Sequence, residues 1–139
     1  MYAHIGESFE HIQTLDEETI SAFAHSIGDS NPLHHDPQAA GASRFGGIIA
    51  SGPHYASILL AQAAAYFSRS ASMVGLEFSF KFKAPVRPGD ALRFRWEVMD
   101  VVWNDKLKGD IVSLEGSVRD SEGKELLTSQ GKVLVSGNL

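Results

Sequence analysis

Residues 28–36, Gly-Asp-Ser-Asn-Pro-Leu-His-His-Asp, carry more polar side chains than a plain connection between two elements requires. Asp29 and His34 lie five residues apart, and the turn expected at Asn31–Pro32 can fold the carboxylate toward the imidazole. Two such groups exchange protons near neutral pH, as general acid–base catalysis requires. The alternative is that Asp29 only closes a turn and His34 lies on the surface. The local pattern by itself favours that alternative, because short motifs often occur without function.

Two other kinds of site receive less support from the residues. The side chains of His34, His35 and Asp36 are adjacent and therefore diverge, and no two histidines have helical spacing, so no metal site is expected. Ser51 precedes Gly52, but the Gly-x-Ser-x-Gly pattern of a serine nucleophile is absent. Ser51 is therefore interpreted as the N-cap of a helix.

Gly52 stands at the start of a long apolar segment. Its backbone N–H is expected to lack a helical partner and to lie at the positive end of the helix dipole. Such a group can hold a thioester oxygen that gains negative charge, but a glycine placed simply before a proline-initiated helix gives the same pattern. His54 and Tyr55 either line a pocket at this helix start or are only packed there.

Helix signals flank the polar stretch on both sides. Residues 14–17, Thr-Leu-Asp-Glu, match a capping box with the threonine as N-cap, and Gly28 is a natural helix stop. Asp29 is therefore expected just beyond the C-terminus of a helix, at the mouth of a loop. Asp36 and Pro37 are typical of the N-cap and first position of a second, short helix.

The segment Phe45–Ser68 contains no charged residue, and Gly52–Pro53 marks the start of a helix within it. This helix is apolar on every side, which is typical of a helix buried in a protein core. A transmembrane helix is the alternative, but only about 15 residues separate Pro53 from Arg69, fewer than the ~20 that a bilayer requires. A buried central helix is therefore expected.

The second half of the chain changes to a period of two, which is typical of half-buried strands. Four strands are predicted, at residues 74–82, 92–98, 111–119 and 126–135. Short turns join them, so the sheet is antiparallel. Residues 4–10 are expected to form a short strand or an extended arm.

A curved sheet can bury such a helix only by wrapping around it. The elements therefore predict an α+β hot-dog fold, an antiparallel sheet around one long central helix, in a single domain over residues 1–139. An open sheet of this kind leaves an edge strand that favours pairing with a second chain. A homodimer or higher homo-oligomer is therefore expected.

Charge and composition exclude several classes of function. The 139 residues include 12 basic and 17 acidic side chains, a net charge of −5, so no nucleic acid partner and no membrane partner is expected. The absence of cysteine excludes disulfides, thiolate nucleophiles and Cys-ligated metals. The first residues lack the pattern of a signal peptide, so a cytoplasmic location is expected.

The run Phe23–His34, Phe-Ala-His-Ser-Ile-Gly-Asp-Ser-Asn-Pro-Leu-His, resembles the signature of MaoC-like dehydratases, which include the (R)-specific enoyl-CoA hydratases. The resemblance continues through residues 48–52 and loosely to residues 85–90, so it covers nearly the whole chain. Its Asp-x-Asn-Pro-Leu-His core is specific, and it favours the catalytic interpretation of Asp29 and His34 over the structural one.

The resemblance implies a hot-dog homodimer that acts on acyl-CoA thioesters in fatty acid metabolism. It implies that Asp29 and His34 hold the water that is added to a 2-enoyl-CoA or removed from a (3R)-hydroxyacyl-CoA. We assign the base to Asp29, although a coupled pair need not divide its roles cleanly. Asn31 would order the loop or the water, and the Gly52 N–H would hold the thioester oxygen. No metal or redox cofactor is required, since coenzyme A arrives as part of the substrate.

The chain departs from the family pattern at the start of the central helix. Many members have His-Gly where this chain has Ser51–Gly52, and one subgroup shares its Ser-Gly with a histidine two positions on, here His54. Ser51 and His54 therefore join Asn31 and Gly52 as expected substrate-binding residues. Because of this departure, a branched, hydroxylated or dicarboxylic acyl group is an alternative to a simple straight-chain substrate. The lack of a second hot-dog repeat favours a short or medium acyl chain. His35 and Asp36 are interpreted as bystanders.

Two other functions remain open. A hot-dog acyl-CoA thioesterase commonly carries a carboxylate on its central helix, and Gly52–Ser68 has none. A non-catalytic acyl-CoA-binding subunit would not need both Asp29 and His34. The candidates for contacts to the phosphates of coenzyme A are basic strand and turn residues. They are Lys81, Lys83, Arg87, Arg93 and Arg95.

Overall fold

The computed structural model describes residues 2–137, which contain five strands and three α-helices. In chain order these are β1 (Ser8–Thr14), α1 (Glu17–Ser26), α2 (Pro37–Gly41), α3 (Gly52–Phe67), β2 (Ser72–Phe82), β3 (Ala91–Asn104), β4 (Gly109–Arg119) and β5 (Glu125–Ser136). A single turn of 3₁₀ helix, Pro32–His34, lies between α1 and α2. The four predicted strands and the central helix are confirmed, and β1 completes the sheet.

The strands form one antiparallel sheet in the order β1-β3-β4-β5-β2, with α3 packed against one face. Trp96 of β3 joins the two layers, because its indole Nε1 donates a 2.7 Å hydrogen bond to the carbonyl of Leu59 in α3. Gly116 makes room for this indole, since a Cβ there would lie 2.5 Å from the ring. The predicted α+β hot-dog fold is confirmed.

The period of two expected for residues 74–82 breaks at the N-terminal end of β2. A bulge between Gly75 and Glu77 shifts the register, so Val74 lies on the opposite face from Phe78 and pairs with Leu134 on the outer side of the sheet. Val74 and Leu76 are each 49% exposed. A bulge inserts one extra residue and reverses the alternation beyond it, so the simple period of two did not hold here. β2 is also an edge strand.

The first strand begins later than expected. β1 covers Ser8–Thr14 rather than residues 4–10, and the chain before it makes a turn, in which the Glu7 N–H donates to the carbonyl of His4. The Gly6 N–H of this turn donates to the carbonyl of Val98. Thr14 pairs with Ala91 in the sheet, so it belongs to the strand and is not the N-cap of α1.

The N-cap of α1 is Asp16, whose carboxylate accepts a 2.7 Å hydrogen bond from the Thr19 N–H. The capping-box prediction was therefore wrong by two residues. The predicted cap of α2 is confirmed, because Asp36 accepts from the N–H groups of Gln38 and Ala39.

The central helix α3 has 16 residues and carries the buried side chains Tyr55, Leu59 and Ala63 along its core-facing side. Within residues 2–137, no helix is long and apolar enough to cross a membrane. The interpretation of this segment as a buried central helix is confirmed.

Candidate active site

The end of α1 sets the position of Asp29. Gly28 adopts a left-handed conformation, with φ of +79°, which costs a glycine little. Its N–H donates to the carbonyl of His25 at 3.1 Å, and the Asp29 N–H donates to the carbonyl of Ala24 at 2.8 Å. This pair of hydrogen bonds is the Schellman arrangement of a helix end. Asp29 therefore leaves the helix with a defined backbone direction.

Asn31 orders the turn that follows. Its backbone N–H donates to Oδ1 of Asp29 at 3.0 Å, and its side-chain Oδ1 accepts from the Leu33 N–H at 3.1 Å. Pro32 occupies the first position of the 3₁₀ turn, where its missing N–H costs nothing. The turn brings His34 back toward Asp29.

His34 is 6% exposed and held from the other side. Its Nδ1 donates to the carbonyl of Ile49 at 2.7 Å, since a carbonyl oxygen can only accept. In the neutral imidazole this leaves Nε2 with a lone pair, and Nε2 lies 3.4 Å from Oδ2 of Asp29. That separation is longer than an ordinary hydrogen bond, so both atoms remain available to a third group such as a water molecule.

His35, interpreted from the sequence as a bystander, is bonded at both ring nitrogens. Its Nε2 donates to the backbone carbonyl of Asp29 at 2.7 Å, and its Nδ1 lies 2.7 Å from the hydroxyl Oγ of Ser21 on α1. The ring of His35 packs 4.0 Å, centroid to centroid, from that of His25. His35 is therefore fixed between α1 and the loop, and its interpretation as a bystander of the chemistry stays a prediction.

The sequence carried a weak signal for this contact. Ser21 and His25 are four residues apart on α1, so they lie on the same face of the helix. A polar strip on a helix that ends at the loop is consistent with a side-chain contact to that loop. The signal did not identify which of the adjacent histidines, His34 or His35, would receive it.

The start of α3 leaves several polar groups without partners. Ser51 occupies the N-cap position, as predicted, but its side chain makes no cap hydrogen bond. The second helical residue, Pro53, has no N–H, and the N–H of the third, His54, bonds to the backbone carbonyl of Ser51. The buried Oγ of Ser51 therefore has no partner among the described residues.

The backbone N–H of Gly52 has no acceptor within residues 2–137, as expected for the first residue of a helix. The ring of Phe82 lies against this glycine, because a Cβ at position 52 would be 2.8 Å from Cε1 of Phe82. Phe82 is itself 54% exposed. The free N–H therefore lies beside a ring that is only partly held by the protein.

His54 is packed between two helices. It is 3% exposed, its ring stacks on Phe23 of α1 with centroids 4.3 Å apart, and its Nδ1 has no partner in the described part of the chain. Burial lowers the pKa of His54, so the imidazole is neutral at neutral pH. Burial also raises the pKa of the neighbouring Tyr55 to about 12. The first turn of α3 is therefore uncharged.

Lys81, Arg93 and Arg95 lie on strands, whereas Arg87 lies in the connection between β2 and β3. Lys81, Arg93 and Arg95 alternate with buried or inward-facing neighbours and lie on the outer face, away from α3. A cavity of about 370 Å³ on that face is lined in part by Lys81 and Arg95. Arg87 follows Val86, whose carbonyl accepts a hydrogen bond from the N–H of Ala50. This bond connects the segment that carries Arg87 to the residues just before α3. The guanidinium of Arg87 donates to the carbonyl of Phe45 at 2.6 Å.

Comparison with known proteins agrees with this geometry. Residues 2–119 match the MaoC like domain, and this segment includes the whole polar loop and the start of α3. The chain belongs to the MaoC-like domain family. A UPF0336 protein of Streptomyces avermitilis is 30% identical to it over 126 residues, which cover 84% of this chain and 81% of the relative.

Solved structures share the MaoC-like fold along the whole chain. The (R)-hydratase from A. caviae involved in PHA biosynthesis is 25% identical, with a TM-score of 0.84 and coverage of 98% of each chain. The R-hydratase PhaJ1 from Pseudomonas aeruginosa, in the unliganded form, is 23% identical with a TM-score of 0.85, covering 98% of this chain and 84% of that chain. The second similarity shows the fold.

Proposed function

We propose that this MaoC-like protein is a hydratase/dehydratase that adds water to a 2-enoyl-CoA or removes it from a (3R)-hydroxyacyl-CoA. The observation that carries the proposal is the placement of Nε2 of His34 3.4 Å from Oδ2 of Asp29, while the other polar atom of each side chain is already bonded. A water between these two atoms would be held by one carboxylate and one imidazole.

In the hydration direction, Asp29 takes a proton from the water as its oxygen bonds to C3 of the enoyl group. The electron pair of the C2–C3 double bond moves toward the thioester, whose oxygen gains enolate charge. The free N–H of Gly52, at the positive end of the α3 dipole, stabilises that charge. The Asp29–His34 pair then delivers one proton to C2, so the pair returns to its starting protonation state. Dehydration is the reverse.

Two buried polar atoms at the start of α3 favour an acyl group that carries a polar substituent. The Oγ of Ser51 and the Nδ1 of His54 are buried without partners in residues 2–137, and both residues lie at the N-terminus of α3. Buried polar atoms normally have partners, and a hydroxyl or carboxylate on the acyl chain would supply one. We therefore include hydroxylated and dicarboxylic short-chain enoyl thioesters among the proposed substrates, together with simple short and medium chains.

The proposed assembly is a homodimer through β2. This strand is an edge of the sheet, and its outward main-chain groups are free to pair with a second strand. Val74, Leu76 and Phe82 on this strand are each about half exposed, and an apolar edge of this kind is stabilised by burial against a partner.

A panel of 2-enoyl-CoA and 3-hydroxyacyl-CoA thioesters tests the proposal. Hydration is followed as loss of the absorbance of the conjugated thioester, and chiral analysis of the product reports the (3R) configuration. Release of free thiol from the same substrates, without hydration, would identify a thioesterase instead. Binding of the thioesters without any turnover would identify a non-catalytic subunit, and either result would reject the hydratase.

A further inference from the structure

The ring of His35 connects α1 to the loop that carries Asp29. Its two nitrogens lie 2.7 Å from the backbone carbonyl oxygen of Asp29 and 2.7 Å from Oγ of Ser21. Ser21 and Asp29 are eight residues apart and belong to different elements, a helix and the loop beyond its end. A single side chain therefore links the two elements, in addition to the backbone hydrogen bonds at the end of α1.

The chemistry of the partners decides which nitrogen of His35 carries the proton. A carbonyl oxygen only accepts, so Nε2 must donate to Asp29. The hydroxyl of Ser21 both donates and accepts, so it donates to Nδ1 when the imidazole is neutral and accepts from Nδ1 when the imidazole is charged. The hydrogen bond to the Asp29 carbonyl is therefore retained in both protonation states of His35.

This bond completes the set of contacts around Asp29. The Asp29 N–H bonds to Ala24 at the end of α1, and Oδ1 accepts from Asn31. With the carbonyl held by His35, Oδ2 is the polar atom of Asp29 that remains directed at His34. Three hydrogen bonds thus hold the residue while one oxygen stays free for the water.

We propose that His35 is a positioning residue for Asp29, with Ser21 as its anchor on α1. This inference rests on the proposed hydratase function, because it assigns to His35 the task of holding the acid–base pair in register with the substrate. Both ring nitrogens of His35 are occupied by contacts within the protein. A displacement of about 1 Å in a reacting group can cost up to ~100-fold in rate, so loss of the His35 bond acts on kcat.

Four variants test the proposal kinetically. His35→Leu removes both hydrogen bonds, and we expect kcat to fall about 10- to 100-fold with KM within about twofold. His35→Gln retains an N–H donor for the Asp29 carbonyl, and we expect it to recover part of the lost kcat. Ser21→Ala removes only the anchor and lowers kcat about threefold, as expected for one weakened positioning bond. Ser26→Ala is the matched control on the same helix, since its hydroxyl bonds to the Phe23 carbonyl, and kcat stays unchanged.

An unchanged kcat in folded His35→Leu, or a rise in KM alone, would overturn the proposal while leaving the hydratase function intact. If His35→Leu does not fold, the comparison of Ser21→Ala with Ser26→Ala decides, and equal kcat values in these two variants would also overturn it.

Nitrogen-15 NMR of the imidazoles provides a readout that does not depend on turnover. We expect Nε2 of His35 to be protonated, because it donates to the Asp29 carbonyl, and we expect Ser21→Ala to shift the Nδ1 resonance. If no thioester is turned over, the hydratase proposal fails but these spectra still test the contact. An Nδ1 resonance of His35 that does not change in Ser21→Ala would overturn the proposal.

Discussion

Nε2 of His34 and Oδ2 of Asp29 face each other across 3.4 Å. Each side chain has two polar atoms, and within residues 2–137 these are the two that make no hydrogen bond. Nδ1 of His34 is bonded to the carbonyl of Ile49, and Oδ1 of Asp29 to the N–H of Asn31. The fold therefore commits one end of each group to structure and leaves the other end free. Such a division orients two titratable groups without occupying them.

Replacing either member of the pair is expected to remove most of the activity. General acid–base catalysis by one side chain contributes about 10²- to 10⁴-fold, so Asp29→Asn and His34→Gln should each lower kcat by about that amount in the enoyl-CoA hydration assay. Asp29→Asn keeps an oxygen that can accept from the Asn31 N–H, so the loop should remain ordered. Circular dichroism and thermal unfolding check this. Retention of full kcat by either folded variant would contradict the assigned roles.

Gly52→Ala is expected to impair catalysis more than stability. The new methyl group would lie 2.8 Å from Cε1 of Phe82 and must displace this half-exposed ring beside the proposed thioester site. We expect kcat/KM to fall by about 10-fold or more, because small displacements near the reacting group are costly, whereas Tm changes little. Gly47→Ala is the control, since no atom lies within 4 Å of a Cβ at that position. Equal kcat/KM values in both variants would contradict the prediction.

His54 is expected to make the fold less stable in mild acid. Burial lowers its pKa below the usual 6.5, so between these two values the unfolded chain binds more protons than the folded chain. Stability then rises with pH across that range and is lost as pH falls below about 6.5. His54→Phe keeps a ring to stack on Phe23 but cannot titrate. Thermal unfolding between pH 7 and pH 5 should show a smaller fall in Tm for this variant, and parallel curves would contradict the prediction.

The proposed dimer predicts different effects of the same substitution on two strands. Leu76 on edge strand β2 is 49% exposed, and Val102, in the part of β3 that extends beyond its pairing with β1, is 55% exposed. We expect the unmodified protein to sediment with twice the mass of one chain. Leu76→Lys should shift it toward monomer, because it places a charge on the pairing edge, whereas Val102→Lys should not. A dimer that resists Leu76→Lys but dissociates with Val102→Lys would place the interface on the outer face of the sheet.

Much of the fold was predictable from local patterns. The uncharged segment around α3 and the alternating residues of β3, β4 and β5 indicate their elements directly, because periodicity reports which side of an element is buried. The bulge in β2 was not predictable, since an added residue changes no residue type and only the partner strand reveals the register shift. The local pattern predicted Thr14 as the N-cap of α1, but Thr14 pairs with Ala91 in the sheet and the cap is Asp16. Only the tertiary pairing reveals this difference.

The sequence by itself determined the helix, the strands and the spacing of Asp29 and His34 around a proline turn, all of which depend on residues close together in the chain. The tertiary structure decided what holds that pair. The carbonyl of Ile49, 15 residues from His34, and the hydroxyl of Ser21, 14 residues from His35, come into contact only after α1, the loop and α3 have packed. A hydrogen bond between distant residues requires a defined distance and direction, and local pattern specifies neither. The two adjacent histidines therefore have different partners that only the folded chain reveals.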